Sequence, residues 1–152
     1  MAYDKPYNNN RPQNNRPQSG YQNKPPVNAK PYEALNKDNY VQRAEDVIKS
    51  LGRNKLSTSQ IRNILSMLNQ IYNDVITTTA PTLSAEVQSQ LQYLKVKLIY
   101  AAGRNQDVKR FMQESQIDQH LDHIDDSKEA FILYSRYMEA LVAYHKFYNE
   151  NA

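Results

Sequence analysis

Residues 56–76 have the sequence LSTSQIRNILSMLNQIYNDVI, and the spacing of their apolar side chains decides the fold class. These side chains recur every three or four positions, which places them on one face of a helix. Ser57 with Gln60 three residues later is the capping box that starts a helix. The Ala80-Pro81 pair ends it, because the residue before a proline is disfavoured in the helical conformation.

The same period extends over the rest of the chain from residue 38 onward. It predicts one helix that ends at Gly52 and another that begins at Ser84 and ends at Gly103. Residues 94–102 are apolar nearly all round, which predicts that this third helix is the buried centre of the fold. No segment alternates as a half-buried strand does. We predict an all-α fold, a compact helical bundle of five or six helices.

Residues 1–36 have a different composition from the rest. They hold six of the seven prolines and eight asparagines, and NNRPQ occurs at 9–13 and again at 14–18. Such a segment buries too little apolar surface to offset the entropy of ordering it. We predict a disordered low-complexity tail over 1–36, with net charge +3, and one helical-bundle domain over 37–152.

Composition narrows the classes of protein further. The chain has 152 residues, a net charge of +3 and no cysteine, so disulfides and thiolate metal sites are excluded. No apolar run reaches the roughly 20 residues that a membrane span needs, so we expect a cytoplasmic protein with no membrane partner. Residues 37–110 sum to +5 and residues 111–152 to −5, which favours a basic face for a polyanion unless folding interleaves the charges.

Signatures of catalysis are absent from the sequence. There is no phosphate-binding glycine loop, no G-x-S-x-G and no H-E-x-x-H, so we predict neither an enzyme nor a cofactor. One cluster has the residue types of a metal site, with two histidines on one helix face. A solvated acidic helix edge explains it better, and we predict no metal there. The cluster consists of Asp118, His120, Asp122, His123, Asp125 and Asp126.

Binding of a nucleic-acid backbone has more support. Tyr93, Lys97, Tyr100 and Arg104 follow spacings of four, three and four, which align rings and cations on one helical stripe. Cations meet phosphates, and rings accept stacked bases or sugars. Lys95 points elsewhere on the same helix. The alternative is that both tyrosines are core residues and that the cations pair with carboxylates.

Four segments together resemble a known family. They are NYVQRAEDVI (39–48), LSTSQIRNIL (56–65), QYLKVKLIYAAGR (92–104) and SRYMEALVAYHKFY (135–148). The chain resembles the small subunit of the type III-A CRISPR effector, the Csm complex. Residues 1–36 lie outside the resemblance.

This resemblance implies a role in RNA-guided interference. Small subunits of this kind are non-catalytic helical bundles that stack in several copies along the groove where guide and target RNA pair. The implied partners are CRISPR RNA, target RNA, the backbone and large subunits, and other copies of the chain. Base pairing supplies the specificity in such complexes, so the protein contacts must tolerate any sequence.

Carried over by motif, the expected RNA-binding residues are all basic. They are Arg62 in SQIR, Lys95 and Lys97 in YLKVK, Arg104 in AGR, and Arg136 in SRYMEAL. Arg53 and Lys55 lie beside a motif and rank lower, although they and Arg62 concentrate positive charge near a helix N-terminus.

Two other functions compete with RNA binding. A pure assembly adaptor would touch only protein, through the acidic final third and the small residues near 140–143. A helix-turn-helix regulator would use STSQIRNIL as a recognition helix, but this helix is too long and lacks the compact glycine turn. We therefore expect RNA binding, with the adaptor as the alternative.

Overall fold

The computed structural model describes residues 30–52 and 56–149. These residues form six helices and no strand, so the predicted all-α bundle is confirmed. The helices, in chain order, are α1 Tyr40–Leu51, α2 Thr58–Ile76, α3 Ala85–Arg104, α4 Gln106–Ser115, α5 Ile117–Asp122 and α6 Lys128–Tyr148.

The predicted helix boundaries are confirmed where a side chain or a glycine sets them. The Ser57 side chain accepts from the Gln60 amide at 3.1 Å, and the Gln60 side chain accepts from the Ser57 amide at 2.9 Å. Gly52 follows α1 with φ at 57°, a conformation that costs glycine little. Ser84 caps α3 by accepting from the Val87 amide at 3.1 Å.

The predicted end of α3 at Gly103 is wrong by one residue. The helix continues to Arg104, and Asn105 then serves both neighbouring helices. The Asn105 amide closes the last turn of α3, while its side-chain oxygen accepts from the Asp107 and Val108 amides at 2.9 and 3.1 Å. A strong N-cap at the start of α4 therefore sets this boundary, and the glycine stays within the helix.

The predicted central position of α3 is also wrong. Its neighbours are α2, α4 and α5, and they leave its outer face uncovered. Val96 and Ile99 on that face are 61% and 47% exposed. The central element is α6, which packs on α1, α2 and α5 and buries five large hydrophobic side chains completely or nearly so. These are Phe131, Tyr134, Tyr137, Met138 and Leu141.

Residues 30–36 pack on the bundle, so the part of the predicted tail that the structure describes is not disordered. The Pro31 carbonyl accepts from the Gln116 side chain at 2.9 Å, and Leu35 packs against the core. Gln116 lies in the tight turn between α4 and α5. Local sequence spacing does not predict that this turn contacts residue 31, which lies 85 residues away in the chain. Residues 1–29 of the predicted tail lie outside the described residues.

Among the described residues, no helix combines the length and the apolar character needed to cross a membrane.

Candidate nucleic-acid interface

The outer face of α3 exposes two aromatic rings to solvent. Tyr93 and Tyr100 are 61% and 64% exposed, although tyrosine rings usually bury most of their area. Lys97 and Arg104 are exposed beside them. The predicted stripe is therefore a surface, and the alternative that both tyrosines are core residues is wrong.

Rings and cations on this face form two pairs. The Lys97 ammonium nitrogen lies 4.6 Å from the centre of the Tyr93 ring. The Arg104 guanidinium carbon lies 5.5 Å from the centre of the Tyr100 ring. Both distances are within the range of cation–π attraction. The pairs repeat after seven residues, or about 10 Å along the helix, so each presents one cation and one ring in the same order.

A groove runs between α2 and α3 beneath these pairs. Met67 lies at its middle and belongs to both of its halves. Tyr100 and Arg104 line one half, and Tyr93 and Lys97 line the other. The groove is therefore walled on the α3 side by both ring–cation pairs.

The α2 wall of the groove supplies neutral polar groups and one acid. Gln60 and Asn63 lie opposite Arg104, and Gln70 and Asp74 lie opposite Lys97. The RNA-binding residues predicted from sequence did not include these α2 residues. Their spacing at 60, 63, 67, 70 and 74 is itself helical, and it marks a second stripe beside the core stripe of α2.

Lys97 and Arg104 have no carboxylate within ion-pair distance among residues 30–52 and 56–149. The alternative that these two cations pair with carboxylates therefore does not occur within the described residues. Lys95 differs, because its ammonium nitrogen lies 2.6 Å from each carboxylate oxygen of Asp122. Lys95 thus points away from the groove, as its spacing predicts, and its charge is compensated.

The other predicted cations are not gathered at this groove. Arg62 does not line the groove, since it lies about 100° around α2 from its neighbour Asn63. Arg136 is an exposed residue of α6, a helix that contributes nothing to the groove lining. Arg53 and Lys55 lie outside the described residues.

The histidine cluster is arranged as a packing feature. His120 is buried, with its ring edge-on to Tyr137 and its Nδ1 atom 3.2 Å from the Tyr32 hydroxyl. The His123 ring stacks on the Tyr32 ring, with ring centres 4.0 Å apart. No three histidine or acidic residues of the described chain are placed to hold a metal ion.

Burial of His120 makes the stability of the fold depend on pH. Desolvation lowers its pKa from 6.5 to about 4, with help from the positive Arg43 and from His123. The folded state keeps the ring neutral, whereas the unfolded chain takes up a proton below pH 6.5. This contribution is complete above that pH and is lost as pH falls toward 4. We expect a loss of up to roughly 3 kcal/mol of unfolding free energy.

Urea unfolding between pH 7 and pH 4 measures this effect. His120→Phe keeps a ring in place and should flatten the profile, while His123→Gln on the exposed neighbour should make it only slightly less steep, because burial is the main cause of the lowered pKa of His120. Equal slopes in His120→Phe and the unaltered chain would contradict the assignment.

The fold and this site define a small helical protein with an exposed groove, where aromatic rings pair with cations that have no carboxylate partner in the described part of the chain. The family model Csm2 Type III-A matches residues 34–151. The chain therefore belongs to the Csm2 type III-A family, the small subunit of the Csm complex, and the predicted resemblance is confirmed.

Relatives carrying the name CRISPR system Cms protein Csm2 are similar over most of the bundle. The protein of Streptococcus thermophilus is 39% identical over 119 residues, which is 75% of this chain and 94% of that protein. The protein of Mycobacterium tuberculosis is 37% identical over 114 residues, or 72% and 91%. The protein of Enterococcus italicus is 41% identical over 97 residues, or 62% and 69%.

Proposed function

We propose that this chain is a non-catalytic subunit that holds RNA backbone, without regard to sequence, inside a type III-A CRISPR RNA-guided interference complex. Several copies stack along the groove between guide and target RNA. Their partners are CRISPR RNA, target RNA, the backbone and large subunits, and neighbouring copies. The complex works in the cytoplasm.

The observation that carries this proposal is the pair of exposed ring–cation units on α3. Lys97 and Arg104 each lie over a tyrosine ring and lack a carboxylate partner among the described residues. A cation held in this way meets a phosphate without first breaking an ion pair. The ring beside it offers a flat surface that any base or ribose can contact.

The chemistry of the groove explains the absence of sequence preference. Phosphate contacts position a nucleic acid but do not distinguish bases. Base pairing with the guide already supplies specificity, so a sequence-selective contact here would oppose it for most targets. The contacts predicted for Lys95, Arg62 and Arg136 would lie outside this groove, and Lys95 must first leave Asp122.

An assembly adaptor is the second candidate. Val96 and Ile99 flank the ring–cation units and are exposed apolar residues, which favour contact with protein. In that function α3 would bind a neighbouring subunit and would not touch RNA.

Crosslinking in the assembled ribonucleoprotein separates the two functions. Guide or target RNA carrying 4-thiouridine at successive positions is irradiated, and the protein is digested with trypsin. We expect RNA-linked peptides that contain Tyr93 or Tyr100, at many positions of the strand and with no base preference. Complexes that assemble fully but yield α3 peptides linked only to other proteins would support the adaptor and oppose RNA binding.

A further inference from the structure

Residues 30–33 lie in a groove formed by α1 and the α4–α5 turn, in the manner of a bound peptide. The Gln116 side chain accepts from the Glu33 amide at 3.2 Å and donates to the Pro31 carbonyl at 2.9 Å. One carboxamide thus satisfies two backbone groups on either side of Tyr32. Pairing of this kind with an extended backbone is how grooves hold peptides.

The Tyr32 side chain is partly buried and packs on two histidines that follow the α4–α5 turn. Its ring stacks on His123 at 4.0 Å with planes 8° apart, and its hydroxyl lies 3.2 Å from Nδ1 of the buried His120. The ring covers His120, whose other nitrogen has no hydrogen-bond partner among the described residues. Tyr32 is therefore the anchor of the segment.

Charged residues hold both ends of the segment. Lys30 pairs with Glu114 of α4, and Arg43 of α1 contacts both the carbonyl and the carboxylate of Glu33. Gln116 is a buried non-glycine residue with φ at 58°. This left-handed conformation ends α4, and the Gln116 side chain contacts the backbone of residues 31 and 33.

The anchoring sequence occurs twice in the chain. Residues 30–32 are Lys-Pro-Tyr, and residues 5–7 are also Lys-Pro-Tyr. Residues 5–7 lie outside the described residues, and the family model begins only at residue 34. The groove ligand and its duplicate are thus both outside the matched region.

We propose that this groove is a binding site for the Lys-Pro-Tyr tripeptide, and that residues 5–7 of the same chain are its second ligand. The 22 residues between the two copies extend up to about 70 Å, so residues 5–7 easily reach the groove. Tethering holds them there at an effective concentration in the millimolar range. Residues 30–32 normally occupy the site because residues 33–36 already position them. When they are withdrawn, residues 5–7 take their place and keep His120 covered.

Tyrosine substitutions in the full chain test this exchange. We expect Tyr7→Ala to leave the melting temperature unchanged and Tyr32→Ala to lower it slightly. The double variant should melt several degrees below Tyr32→Ala. Tyr32→Ala combined with Tyr21→Ala is the matched control, since Tyr21 is not preceded by Lys-Pro. A double variant that melts with Tyr32→Ala would overturn the proposal.

Nuclear magnetic resonance of the His123 ring gives a second readout that does not depend on melting. Stacking on tyrosine shifts its proton signals, so the shift should persist in Tyr32→Ala and vanish when Tyr7 is also replaced. A synthetic peptide of residues 1–10 should restore it in the double variant, and the same peptide with Tyr7→Ala should not. A shift in Tyr32→Ala that grows with protein concentration would assign the ligand to a second copy and overturn exchange within one chain. None of these residues lies on the α3 face, so the outcome is independent of RNA binding.

Discussion

Replacing Lys97 and Arg104 together with glutamate should weaken the hold of the assembled complex on its target RNA by about 100-fold. A hydrogen bond to a charged group contributes about 1.5–3 kcal/mol, and each 1.4 kcal/mol is a factor of ten in affinity. Two lost phosphate contacts, each at the lower end of this range, therefore account for about two orders of magnitude. The measurement is the dissociation constant of target RNA from complexes that contain the variant subunit.

Matched substitutions on the same two helices serve as controls. Lys95→Glu should change affinity little, because Asp122 already engages this ammonium group. Asp74→Asn removes the one acid of the groove wall and should tighten binding modestly. With glutamine in place of glutamate, each lost cation should reduce the slope of log affinity against log salt by about 0.7 to 0.9.

The outcome also decides between the two candidate functions. Complexes that assemble normally and bind RNA with unchanged affinity and unchanged salt slope would contradict RNA binding through α3. Variants that fail to enter the complex, while the remaining particle keeps its RNA, would support the adaptor.

Replacing Tyr134 and Tyr137 together with phenylalanine should destabilise the bundle by roughly 2–6 kcal/mol. Both rings are buried in α6. Their hydroxyls donate to the carbonyls of Ile117 and Ser115 at 2.9 and 2.8 Å, on either side of the turn at Gln116. Each substitution leaves a buried carbonyl short of a donor, at about 1–3 kcal/mol. Such a loss is a large part of the 5–15 kcal/mol that stabilises a typical domain.

Chemical denaturation measures this loss as a lower midpoint with an unchanged slope. Tyr100→Phe, on an exposed ring, is the control and should change the unfolding free energy by less than about 0.5 kcal/mol. A double variant as stable as that control would mean that the two hydroxyls do not hold the α4–α5 turn.

Sequence patterns were sufficient to predict most helix boundaries because the interactions that set these boundaries are local. The capping box of Ser57 and Gln60 and the glycine after α1 act within four residues of the boundary that they set. Gly103 failed as a helix end because Asn105 caps the next helix more strongly. The ring–cation stripe was also predictable, since four side chains on one helix depend only on the helical period.

Membership of the Csm2 type III-A family and the all-helical fold were thus determined by the sequence alone, as was the alignment of Tyr93, Lys97, Tyr100 and Arg104. Only the tertiary structure decided which helix faces are buried in the bundle. An apolar helix face can be buried in the core of its own chain or against another molecule. The compositions of α3 and α6 therefore did not show which of the two helices is the central one. The α2 wall of the groove and the contact of Tyr32 with His120 join residues far apart in the chain, and helical periodicity carries no information about such pairs.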